Sequence, residues 1–173
     1  MSKKLICKFE SPEVLFEKLR RDKERLLKAL KSENETDLCD NFFDYCVTAH
    51  SLREWVIKDN SCRFSKQTVN DTCDSYNVLK MCHDIANASK HFGLNKYNEE
   101  KKITYSVFLS TSSMIDFYEN LETGAINRVK RDNLDIVIMG EVGEIIGLWE
   151  FTDKVEKAWK EMFIKCGIVT HNN

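Results

Sequence analysis

The helix-breaking residues are unevenly placed along this chain. The 173 residues hold one proline, Pro12, and six glycines, five of them at or beyond Gly124. The first half therefore has almost nothing to interrupt helices, whereas turns can form readily in the second. Ser11 followed by Pro12 marks a helix start, with the hydroxyl free to cap an orphan amide and the proline tolerated in the first turn. From there a helix is predicted to Lys31, its stripe supplied by Leu15, Leu19, Leu26 and Leu30.

After the loop SENETD a second helix is expected over Phe42–Lys58, beginning near Asp37 or Asp40. Its apolar arc contains two polar intruders, His50 and Arg53. Asp59 to Asp74 is polar and without period, and reads as a long connection with at most a helical turn. A third helix is predicted over about Ser75–Phe92, with Gly93 as its left-handed cap.

Beyond LNKYNEEKK the period changes. ITYSVFLS alternates like a strand, and SMIDFYENLE reads as a turn or connection. A further strand fits Ala125–Lys130, and LDIVIM and EIIGLWE flank GEVG as a hairpin between about Leu134 and Trp149. Asp153 is expected to cap a closing helix, with Glu156 as its capping-box partner and Val155, Ala158, Trp159, Met162 and Phe163 on its buried side.

The order predicts an α+β fold: an N-terminal three-helix bundle, a small antiparallel sheet, and a closing C-terminal helix that packs back onto the bundle. One domain over 1–173 is expected, with a helical part to residue 94 and the sheet plus last helix over 102–166; a chain of this length buries roughly 70% of its unfolded surface.

No apolar run approaches the ~18 residues of a membrane span, and MSKKLICKFES lacks a signal-peptide core. The seven cysteines are odd in number and form no CxxC pair, which disfavours a disulfide framework or zinc ribbon and fits a reducing cytoplasm. Net charge of -2 and a pI near 6.1 exclude the global basic footprint of a dedicated nucleic-acid binder. The basic run LRRDKERLLKALK carries interspersed acids and reads as a solvated face. With no phosphate loop, HExxH or GxSxG motif, no cofactor or metal is expected. Cys82 precedes His83, yet the two point about 100° apart on a helix, with Cys82 on the apolar side.

The segment CHDIANASKHFG concentrates the chain's chemistry. At about 100° per residue, His83, Asp84, Asn87, Lys90 and His91 fall within about 120°, with Ile85 and Phe92 opposite and Leu79 and Cys82 flanking one edge of that arc. A helix C-terminus favours an imidazolium at His91, which beside Lys90 would offer two cationic donors to a phosphate or carboxylate; neutral, it would serve as a base. A surface helix has a polar side whatever its function, so a purely solvated face is the competing reading. Arg53 and His50 are expected to meet Asp84 and Asn87 across the helix interface, because a buried guanidinium needs a partner.

FFDYCVTAHSLREWV and MCHDIANASKHF, with WKEMF in the last helix, resemble a group of small bacterial and phage-associated proteins of no established activity; the resemblance spans about Asp40 to Phe163. The helix is more weakly similar to HEPN-type domains, many of which are metal-independent ribonucleases. In that resemblance Asn87 and His91 match the motif's polar residue and histidine, whereas Ala86 stands where the arginine belongs. Two functions follow as expectations. One is a non-enzymatic module binding a protein partner, or itself, through the third-helix face or the sheet edge, with His50, Arg53, His83, Asp84, Asn87, Lys90 and His91 as binding residues. The other is a ribonuclease or RNA-binding domain with His91 as base and Asn87 and Lys90 assisting.

Overall fold

The computed structural model describes residues 9–32, 34–88, 105–119, 126–140 and 145–168. Among them are five helices and a three-stranded antiparallel sheet. The fold is α+β and helix-rich, and it closes on a C-terminal helix. Four helices precede the sheet: α1 (Pro12–Lys31), α2 (Glu35–Lys58), α3 (Lys66–Asp74) and α4 (Asn77–Ala88). Strands β1 (Tyr105–Glu119), β2 (Ile126–Gly140) and β3 (Ile145–Gly147) follow, and α5 (Leu148–Cys166) closes the order.

α1 starts at Pro12 as predicted, although the Ser11 side chain makes no cap bond. Its buried stripe is Leu15, Leu19, Asp22, Leu26 and Ala29, a three-four spacing in which a carboxylate occupies one core position. α2 begins earlier than expected, because the Asn34 side chain accepts from the Asp37 amide at 3.1 Å and starts the helix at Glu35. α2 packs against each of the other four helices. Its Tyr45 ring is fully buried, and the hydroxyl donates to the Thr152 carbonyl of α5 at 3.1 Å.

The polar stretch predicted as a connection folds over Lys66–Asp74 as α3. Ser65 caps it by accepting from the Thr68 amide, and Val69 and Cys73, one helical turn apart, are its two fully buried side chains. α4 covers Asn77–Ala88 of the predicted third helix; its expected continuation to Phe92 and the cap at Gly93 lie outside the described residues.

SMIDFYENLE is not a turn: its described part belongs to β1, which pairs with β2 over fifteen positions from Tyr105↔Gly140 to Glu119↔Ile126. The run lacks strict alternation, and its extended form comes from pairing rather than from its own pattern. The strand expected at Ala125–Lys130 and the one at LDIVIM are a single β2. The predicted hairpin across GEVG is present as β2 and β3, with Ile138 opposite Ile146, though its second strand ends at Gly147 and Trp149 already lies in α5.

At ~3.4 Å per residue β1 and β2 form a ribbon on the order of 50 Å long. Burial follows the pleat: Leu134, Ile136, Ile138 and Ile146 face inward, joining Leu148, Phe151, Val155, Trp159 and Phe163 of α5 and the stripes of α1 and α2 in one continuous core.

α5 starts at Leu148, directly after β3, so Asp153 lies inside the helix and the expected capping box does not form. Its far end is a left-handed cap. Gly167 has φ +78°, and the Ile168 amide returns to the Phe163 carbonyl at 2.9 Å. A Cβ there would come within 2.8 Å of Arg63 Nε. No described helix is long and apolar enough to cross a membrane.

Candidate functional site

Among the described residues, the polar side of α4 and the outer edge of β1 are the two surfaces that the sequence singles out. On α4, residues Met81, Cys82 and Ala86 are buried against the core while His83, Asp84 and Asn87 are half-buried at the surface, as the two-faced pattern predicts. His83 Nδ1 lies 2.9 Å from Asp84 Oδ1, and Asn87 Nδ2 donates to His83 Nε2 at 2.8 Å. With the Asn87 amide as donor, Nε2 accepts and Nδ1 faces the Asp84 carboxylate as donor. Both ring nitrogens are engaged within α4 itself. His50 of α2 meets this ring edge to face, with centroids 4.8 Å apart.

The structure thus brings together His50, His83, Asp84 and Asn87. Lys90 and His91 lie outside the described residues. Arg53 departs from expectation. Its carboxylate partner is Asp74, with Nη2 to Oδ1 at 2.6 Å, rather than Asp84. The reason is α3, the helix hidden in a polar stretch, which delivers Asp74 to a guanidinium whose side chain is only 11% exposed.

Beneath the cluster the thiols of Cys46 and Cys82 are both fully buried. Burial and the Cys82 thiol beside it push the Cys46 thiol well above its ordinary value. Burial likewise raises Cys73 to about 11, against the opposing pull of Arg53. Protonated thiols in dry surroundings make poor nucleophiles and metal ligands. Among the described residues no three His, Cys, Asp or Glu side chains converge on a common point suited to a metal.

Sequence reasoning missed a second polar centre. Asp22, 2% exposed, accepts from Lys18 Nζ at 2.5 Å and Thr48 Oγ1 at 2.6 Å, and is hydrogen-bonded to Arg25 as well. The signal was present, since the α1 stripe calls for an apolar residue at position 22 and the chain has an aspartate there. The basic run is also not merely solvated. Lys23 bridges Asp153 at 2.5 Å and Glu156 at 3.2 Å on α5, and Arg20 reaches Glu156 at 3.3 Å. These groups tie α1 to α5 and leave less charge for nucleic acid.

At the sheet, the strand order β1-β2-β3 gives β1 one neighbour among the described residues. Val107 and Leu109 sit opposite the buried Ile138 and Ile136, on the same face, yet each is 39% exposed. Met139, Ile145 and Trp149 add exposed apolar surface near the same end. Comparison with known protein families, with curated proteins and with solved structures returns no match for the chain.

Proposed function

We propose that this protein is a non-enzymatic interaction module that binds a macromolecular partner through the open edge of its sheet. The observation that carries this reading is the exposure of Val107 and Leu109 on the face where their cross-strand neighbours are buried. An exposed apolar strand edge offers both unpaired backbone groups and surface to cover, the combination used in strand addition. The α4 face supports a binding role less well, because His83 spends both nitrogens on Asp84 and Asn87. A cytoplasmic setting in a bacterial or phage system fits the DIANASKHF resemblance and the six described cysteines, all of which are free thiols.

Two measurements test the reading. Purified full-length protein incubated with total RNA should leave it intact; cleavage that disappears in His91→Ala would establish the HEPN-like alternative instead. In cross-linking within the expressing cells, Val107→Lys with Leu109→Lys should lose the cross-linked species that the parent forms. A species kept by that variant and lost by His83→Ala would move the binding surface to α4.

A further inference from the structure

We infer that the partner at the sheet edge is a second copy of this chain, joined β1 to β1 in antiparallel register about a two-fold axis at Ser112. The inference rests on the sheet-edge reading above and names its partner.

Three observations carry it. The first is the composition of the edge. β1 reads YSVFLSTSSMIDFYE, and its fifteen residues contain no lysine, arginine or proline, the residues that usually block edge-to-edge pairing. The only charges are Asp116 and Glu119, both near one end.

The second is self-complementarity. In an antiparallel pair, directly opposite residues share a face, and only alternate residues turn their N–H and C=O groups toward the free edge, so an added copy must match odd positions with odd and even with even. The register centred on Ser112 meets this rule and uses all fifteen residues of β1. It places Val107 opposite Phe117 of the partner, Leu109 opposite Ile115, and Thr111 opposite Ser113, all at positions on the face that Ile136 and Ile138 occupy in β2. The two half-exposed apolar side chains of the edge thus meet apolar positions of the other copy. Asp116 falls opposite Phe108 and Glu119 opposite Tyr105, so like charges never face one another. Moving the axis by one residue either way loses the match, setting Val107 against Glu119 or Leu109 against Ser113.

The third is size. Fifteen paired residues give on the order of 15 inter-chain backbone hydrogen bonds, against about 10 in a typical stable interface. The result is a continuous six-stranded sheet from two three-stranded ones.

The full chain has a mass of 20.2 kDa, so light scattering at tens of micromolar should report twice that value. Leu109→Lys should return the mass to that of one chain. Adding Ile115→Asp should restore the doubled mass, because the two-fold sets position 109 of each copy against position 115 of the other and so pairs the introduced ammonium with the introduced carboxylate; circular dichroism confirms that each variant is folded. Ser112→Cys, a mild change, should form a disulfide-linked pair under an added mild oxidant, since opposite Cα atoms lie ~4.5–5.5 Å apart. Ser110→Cys, whose like position in the partner is four residues away along the strand, should not. A parent that stays at 20.2 kDa at every concentration, or Ser110→Cys linking as readily as Ser112→Cys, overturns the self-pairing. If Leu109→Lys then still abolishes a cross-link to a different protein, the sheet-edge reading survives the loss of the self-pairing. If it changes neither readout, both are refuted.

Discussion

Replacing Asp22 by alanine probes the polar centre that locks α1 onto α2. The carboxylate is 2% exposed and takes hydrogen bonds from Lys18, Arg25 and Thr48. On its removal the partners fare differently. The side chains of Lys18 and Arg25 are 29% and 59% exposed and can turn to water, which limits their loss to about 0–1 kcal/mol each. Thr48, 4% exposed, still accepts from Lys18 Nζ at 2.7 Å but loses the acceptor of its own proton, and a buried donor left unmade costs about 1–3 kcal/mol. The expected loss is therefore about 3 kcal/mol, or a Tm lower by roughly 6–12 °C for a chain of this size. Thr48→Val removes the hydroxyl together with its need for a partner, so Asp22→Ala should cost about 1 kcal/mol less in the Thr48→Val background than alone. Urea unfolding of the four proteins of that cycle measures the difference. A coupling within about 0.5 kcal/mol of zero would refute the idea that the buried hydroxyl and carboxylate depend on one another.

Other outcomes follow from the ion pairs and caps. Burial opposes ionisation of Glu156, but the hydrogen bonds and charges of Lys160 and Lys23 outweigh it and hold its carboxyl below the ordinary 4.5. Its contribution is thus complete above pH 4.5 and lost as pH falls through the lowered folded value, and Glu156→Gln should flatten the acid limb of the stability profile. The opposite sign applies to Asp135, where burial raises the carboxyl against the pull of the Ile136 and Leu148 amides. Its folded form gains relative stability as pH drops toward the unfolded value, and Asp135→Asn should remove that slope in the same titration. Asp74→Ala leaves the Arg53 guanidinium without its carboxylate and should cost about 1–2 kcal/mol in chemical denaturation, with little further loss when Arg53→Met is already present. Gly167→Ala forces a side chain into a left-handed backbone against Arg63 and should cost about 1–2 kcal/mol, with Gly167→Asn milder; the midpoint in urea reads both.

How far the chain could be read in advance depended on whether local pattern or distant pairing shapes each segment. α1, the bulk of α2 and the apolar sides of α4 and α5 follow from helical spacing, because their core positions recur every three or four residues. The β2–β3 hairpin was legible from the glycines between two apolar runs. α3 was not, since two buried side chains, Val69 and Cys73, fix nine otherwise polar residues. β1 was half legible. Val107 and Leu109 alternate visibly, but the serine-rich continuation becomes a strand only through Ile126–Asn133 across from it. At the site, the grouping of His83, Asp84 and Asn87 was readable from angular position. The true partner of Arg53 was hidden with α3, and the Asp22 centre was obscured by a charged run that looks like an ordinary surface.

The bond between Tyr45 and the Thr152 carbonyl spans 107 residues, and that between Lys23 and Asp153 spans 130. A ribosome adding about 5–20 residues per second needs roughly 5–20 s to travel from the first tyrosine to its acceptor. Throughout that interval the nascent chain holds Phe16, Phe42 and Tyr45 with their aromatic partners Phe163 and Phe151 still unmade. Translation speed and chaperone supply therefore bear on the yield of this protein more heavily than on that of a bundle whose contacts are all between neighbours in sequence.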